Sequence, residues 1–325
     1  MDELHKFLFE GLPVRGMLVR LEGSWQDLMR RREPAHGGSG PFDPPLRALL
    51  GEMVAAGVLM QSNIKFNGAL ILQVQGDGPV KLAVAEAQPD LSFRATASLR
   101  ADARLPADAD LASMLNPNGQ GRCAITLDPR DRLPGQQPYQ GIVPLHGDHG
   151  EPLHALSEVL EHYMLQSEQL DTRLILAADD RVAAGLLIQR MPLEGEGNLA
   201  STRRREDDIG LDEDFNRIAH LAASLQRAEL LQLDPLTVLH RLFWQENVLR
   251  QVPQTPRFAC TCSRQRVVGM LRGLGRAEVE DILSEQGQVD IGCEFCGQHY
   301  RFDAVDVGEV FTPRADQAPG SGALN

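Results

Sequence analysis

The chain has 325 residues, 42% of them hydrophobic and 24% charged, with 45 acidic against 32 basic side chains and a formal net charge of −13. That length holds one large domain and one or two smaller units, and no apolar run approaches the roughly 20 residues that a membrane-spanning helix needs. The acidic excess creates a field that repels phosphate backbones and anionic lipid, so neither nucleic acid nor a membrane is an expected partner.

In chain order, Met1-Asp2-Glu3-Leu4-His5-Lys6 has acid where a secretory leader needs a basic flank, which makes the cytoplasm the expected compartment. From about Leu4 to Met191 strand and helix patterns mix. Residues 30–45 hold a basic run and then Gly37-Gly38-Ser39-Gly40-Pro41, a loop composition. Leu70, Leu72 and Val74 alternate before Gly76-Asp77-Gly78-Pro79, and Val80, Leu82 and Val84 alternate after it. Two strand patterns flanking a Gly-rich turn predict a hairpin rather than a phosphate-binding loop, which would need a helix to follow. Cys123, Ile125 and Leu127 share one strand face, and an unpaired cysteine there reads as a small buried hydrophobe. From Pro152 to Gln166 a stripe of Leu153, Leu156, Val159, Leu160, Tyr163 and Met164 predicts a helix on the sheet, with Pro152 in its first turn. His146, His149, His154 and His162 lack metal-like spacing and receive no role.

From Glu194 to Asp214 the chain turns polar, with Arg203-Arg204-Arg205 followed by six acids, which reads as a charged, mobile joint. After it Phe215, Ile218, Ala222 and Leu225 fall at helical spacing, and Asp234 as N-cap with Pro235 at the first position opens a second helix carrying Val238, Leu239 and Leu242. Such short amphipathic helices are marginal by themselves and must dock on a neighbouring surface. The expected organisation is therefore α+β: a mixed sheet-and-helix core domain over residues 1–193, a charged joint and helical linker over 194–250, a small zinc-binding domain over 251–311 and a disordered tail over 312–325.

The chemistry is concentrated in the third segment. Cys260-Thr261-Cys262 and Cys293-Glu294-Phe295-Cys296 lie 30 residues apart, as C-x-C-x30-C-x2-C, and two close pairs make one tetrahedral thiolate site for a single zinc ion. His299 is a weaker candidate ligand, since four thiolates already complete the site. The segment is too small to be stable on its apolar core alone, and a structural zinc supplies roughly 10–16 kcal/mol of apparent binding energy. Four adjacent thiolates are also the form that oxidants attack. Disulfides within each pair would close only tiny rings, so the long tie between the pairs would be lost. The spacing is thus compatible with a redox switch as well as with a permanently closed structural zinc ribbon. A nucleic-acid-binding ribbon is disfavoured because residues 251–312 carry six arginines against nine carboxylates. A thiol-disulfide oxidoreductase would need a helix starting at Cys293, where Gly297 and a strand-like Tyr300-Arg301-Phe302 follow instead. No catalytic constellation stands out, and no enzyme is expected.

At these residues the sequence resembles the heat shock protein 33 family of bacterial chaperones. The resemblance is carried by Leu4-His5-Lys6-Phe7-Leu8-Phe9-Glu10, Val14-Arg15-Gly16, Leu72-Gln73-Val74-Gln75-Gly76-Asp77-Gly78-Pro79, Ser167-Glu168-Gln169-Leu170-Asp171-Thr172-Arg173, Cys260-Thr261-Cys262-Ser263-Arg264 and Cys293-Glu294-Phe295-Cys296-Gly297-Gln298-His299-Tyr300. It implies a reduced, inactive state holding one Zn2+ per chain and an oxidised state with disulfides Cys260-Cys262 and Cys293-Cys296. It further implies ATP-independent capture of unfolding client proteins, release of the linker, and a monomer that becomes a homodimer on activation. The stretches near 37–41, 133–138 and 194–210 depart from the family pattern, all in loops.

Overall fold

The computed structural model describes residues 1–34, 38, 40–101, 103–132, 135–191 and 213–312. Arg203-Arg204-Arg205 and nearly all of the charged joint, Gly37 and Ser39 of the Gly37–Pro41 stretch, two residues of the 133–138 loop and the tail beyond Thr312 lie outside these residues. The contacts divide the chain into two compact units, Met1–Met29 with Pro41–Ala259 and Arg30–Gly40 with Cys260–Asn325.

Unit 1 opens with β1 (Glu3–Phe9), β2 (Val14–Leu21), α1 (Gly23–Arg31) and α2 (Pro44–Asn63), followed by β3 (Gly68–Gln75), β4 (Val80–Ala87) and β5 (Ser92–Leu99). Next come α3 (Leu111–Leu115), β6 (Arg122–Pro129), β7 (Tyr139–Pro144), α4 (Leu156–Glu168), β8 (Thr172–Ala178) and β9 (Ala183–Arg190). After the joint it continues through α5 (Glu213–Ala223), α6 (Arg227–Gln232), α7 (Pro235–Phe243), β10 (Val248–Arg250) and β11 (Arg257–Phe258).

Two sheets result. One is antiparallel in the order β10-β1-β2-β9-β8, and the other runs β11-β5-β4-β3-β6-β7 with only β11 parallel to its neighbour. The predicted hairpin is present, with Leu72 opposite Ala85 and Val74 opposite Ala83. Cys123 and Ile125 of β6 are buried in the same core as Leu72 and Val74.

The strands of the first sheet bury both faces. Met17, Val19 and Leu187 point into a core shared with α2 and the second sheet, whereas Leu18, Leu186 and Ile188 point the other way onto α5 to α7. Period-2 alternation makes this possible: neighbouring residues serve opposite layers, so the strand reads as continuously apolar. Helix α2 packs on both sheets. Its Gly51 lets the backbone approach β8 so closely that a Cβ there would sit 2.3 Å from the Ala178 methyl.

Helix α4 departs from expectation at its start. It begins at Leu156 rather than near Pro152, because the Glu158 carboxylate accepts from the His154 and Ala155 amides at 2.8 and 3.1 Å and closes the first turn there. Pro152 instead lies in an isolated bridge opposite His146.

Beyond the joint, α5 and α7 form as the spacing predicts, and the Asp234 side chain accepts from the Leu236 and Thr237 amides. Their apolar stripes lie on the outer face of the first sheet, where the Phe243 ring sits 5.0 Å from Phe9 and 6.1 Å from Phe7. Strands β10 and β11 then stitch the chain to β1 and β5, up to Ala259.

Candidate metal centre

Unit 2 contains α8 (Arg264–Leu274), α9 (Arg276–Gln286), β12 (Val289–Gly292), β13 (His299–Phe302) and α10 (Ala304–Phe311) around a small core of Leu271, Val279, Val289, Phe302, Val307 and Val310. Strand β12 delivers Cys293 at its end. There the Cys293 amide donates to the Gln298 carbonyl at 2.9 Å, and the Cys293 carbonyl accepts from the Gly297 amide at 2.8 Å, folding Cys293 to Cys296 into a knuckle. Gly297 has φ 69°, the left-handed region that closes such a turn without Cβ strain.

Cys260 and Cys262 arrive from the other direction, just before Ser263, whose side chain caps α8 by accepting from the Arg266 amide. Arg264 then anchors this end of the helix. Its guanidinium pairs with Asp306 at 2.6 Å, donates to the Arg301 carbonyl at 2.8 Å and lies 4.1 Å over the Phe302 ring. The C-x-C segment is thereby fixed to β13 and α10.

The four predicted ligands converge. Their sulfurs lie within 4.8 Å of one another, and short contacts cross between the pairs: Cys260 to Cys293 at 3.7 Å and Cys262 to Cys296 at 3.4 Å. Zinc–sulfur bonds of about 2.3 Å in a tetrahedron place sulfurs about 3.8 Å apart, so the donor set and spacing fit one such ion. Charge points the same way. Hydrogen bonds from Cys293 and then Cys296 pull Cys260 far below the ordinary thiol range, while the same bonds push Cys293 and Cys296 up. Four thiolates this close cannot all ionise without a cation between them.

Two contributors were not legible in the spacing. Tyr300 of β13 donates its phenol to the Cys262 sulfur at 3.1 Å, and this bond pushes the phenol up to about 12. Arg264 is the other. Their signal lies in register, since Tyr300 pairs with Ile291 two residues before Cys293. His299 is not among the converging ligand atoms and bonds Asp290 through Nδ1 at 2.7 Å. Cys123 is in unit 1, and its burial pushes the thiol up to about 12. The Cys293-x-x-Cys296 knuckle joins two strands, which is not the strand-to-helix arrangement of a thiol oxidoreductase.

The Hsp33 protein family profile matches residues 2–303. A 33 kDa chaperonin of Chromobacterium violaceum is 44% identical over 95% of this chain and 94% of its own length, and one of Methylobacillus flagellatus is 42% identical over 96% and 94%. The chain belongs to the Hsp33 family. The fold agrees: the crystal structure of an Hsp33 homolog from Thermotoga maritima superposes with a TM-score of 0.72 at 21% identity, covering 95% of this chain and 98% of that one. As in the sequence reading, the Hsp33 architecture here is α+β, with a mixed sheet-and-helix body, helices after the joint, and a small C-terminal cysteine-bearing unit. Among the described residues no helix is long and apolar enough to cross a membrane.

Proposed function

We propose that this protein is a redox-regulated, ATP-independent chaperone of the cytoplasm, which holds unfolding proteins and is not an enzyme. The observation that carries the reading is the convergence of sulfurs from two knuckles 30 residues apart in a unit with a small core, in a chain of the Hsp33 family. Cys260, Cys262, Cys293 and Cys296 would hold one Zn2+ in the reduced state. The ion would supply the positive charge that keeps all four sulfurs as thiolates, and a tie across the long loop.

Each pair of thiolates gives two electrons to an oxidant such as peroxide, which takes up two protons and leaves as water while one S–S bond forms. Pairing within each knuckle, Cys260-Cys262 and Cys293-Cys296, follows the family resemblance. Proximity does not select it, since all four sulfurs lie within 4.8 Å of one another and short contacts join opposite knuckles. With both pairs closed locally, no covalent or coordinate link spans Cys262 to Cys293, and a core of six buried side chains does not hold the unit folded.

A holdase recognises apolar surface and must itself expose some. The surface available is the pair of faces that α5 to α7 and the first sheet bury against each other, including Phe9, Leu186, Ile218, Leu239 and Phe243. Unfolding of unit 2 removes the anchor following β11 and lets the helices leave the sheet, and the exposed faces then bind clients and favour a homodimer over the reduced monomer. The test follows zinc release, thiol loss, tryptic disulfide mapping and suppression of client aggregation together during peroxide treatment. Loss of four thiols with zinc release but no gain in client protection would refute the switch, and full protection before oxidant would refute the resting state.

A further inference from the structure

A cavity of about 460 Å³ in unit 1 opens between the β1–β2 pair, the C-terminal end of α2 and the segment after β10. Lys6, Arg15 and Lys65 line it, with Asn63, Gln251 and Gln254 supplying carboxamides. Among the described residues no carboxylate lines it and none of the three cations has an acidic partner, although the chain as a whole carries −13.

The cations are held in place by neutral groups. Lys6 donates to the Ser62 carbonyl, and Arg15 donates through Nε and Nη2 to the Gln189 side-chain oxygen at 3.2 and 2.6 Å. Gln189 is itself fully buried and accepts from Asn63 at 2.7 Å, so the guanidinium is fixed in direction while Nη1 makes no hydrogen bond among the described residues. Burial, and then the neighbouring Arg15 charge, lower the Lys6 pKa. Two like charges thus face one half-buried space, and among the described residues no acid offsets their repulsion.

We infer that this cavity is a binding site for a small phosphoryl oxyanion. A fixed guanidinium edge beside two ammonium point charges is the donor set that recognises phosphoryl oxygens, and cavity walls of low dielectric concentrate its field. The volume suits a ligand of pyrophosphate size or somewhat larger. Occupancy has a structural consequence as well. The Gln251 amide donates to the Lys6 carbonyl at 2.8 Å and the Gln254 amide to the Leu4 carbonyl at 3.0 Å, so an oxyanion bridging Lys6 and these glutamines fastens the segment that leads to Cys260.

Calorimetric titration of the reduced, full-length protein with inorganic pyrophosphate, in low-salt buffer without phosphate, tests the site. Saturable binding of one pyrophosphate per chain is expected, weakened about tenfold by Lys65→Gln and further by adding Lys6→Gln, and unchanged by Lys81→Gln, an exposed lysine outside the cavity. Amide exchange at Gln251 and Gln254 should slow when pyrophosphate is bound. Lys65 is exposed, so its substitution leaves folding intact even if Lys6→Gln does not. Absence of saturable heat up to about 10 mM, or equal weakening by Lys65→Gln and Lys81→Gln, overturns the proposal.

Discussion

At the candidate metal centre each sulfur has a distinct setting. Removing one ligand forfeits about a quarter of a structural site's roughly 10–16 kcal/mol, so Cys293→Ser should lower zinc affinity by two to three decades, read by competition with a chromogenic chelator. Cys123→Ala is the control: its thiol is buried and held protonated, so zinc content and peroxide-driven zinc release should not change. Tyr300 acts more finely. Its phenol shares the charge of the Cys262 sulfur, and a hydrogen-bonded thiolate is a weaker nucleophile. Tyr300→Phe should therefore raise the rate of peroxide-driven zinc release severalfold while weakening zinc binding by up to about tenfold. An unchanged release rate would show that the 3.1 Å contact does not govern oxidation.

At the scale of elements, the proposed switch makes the helices after the joint the cover of the client-binding surface. Phe243 closes over Phe7 and Phe9, and truncating a buried phenylalanine costs about 3–5 kcal/mol. Phe243→Ala should loosen α7 without touching the cysteines, so reduced, zinc-loaded protein should bind a hydrophobic dye and protect a denaturing client before any oxidant is added. Asp234→Ala, which removes the N-cap, should act in the same direction at a cost of about 0.5–2 kcal/mol. These helices were legible in the sequence because their stripes are amphipathic and their caps are polar. Helix α6 was not: it has six residues and buries only Leu230. Helix α2 escaped for the opposite reason, since it lies between two sheets, is apolar on nearly every side and shows no stripe to read. The true start of α4 was written in Glu158, three residues past Ala155, rather than in Pro152.

At the scale of the whole molecule, the cysteine site was readable because its ligands come as two local pairs, each a turn in itself. The sheet order was not, because β9 pairs with β2 across a long stretch of chain, and β10 and β11 are too short to show a period. Nor does sequence reveal where burial traps charge. Glu52 of α2 lies 3.4 Å from Arg227 of α6, yet burial outweighs that cation and pushes its carboxyl up to about 7. Burial likewise pushes Glu161 of α4 up to about 7 against the pull of Arg173 and the Leu174 amide. Between about pH 4.5 and 7 the folded state therefore binds protons that the unfolded chain releases. Stability that is complete below about 4.5 is lost as pH rises through 7, by about 1–3 kcal/mol per group. Carboxyls shifted the other way, such as Asp110 at about 2, titrate below this window. Trp25 is buried with its Nε1 donating to the Asp179 carbonyl at 2.9 Å, so its fluorescence reports unfolding of unit 1. Urea midpoints read this way should fall between pH 5.5 and 8.5, and Glu52→Gln with Glu161→Gln should flatten that slope while raising the midpoint at pH 8.5. A slope that survives both substitutions would place the titrating groups elsewhere.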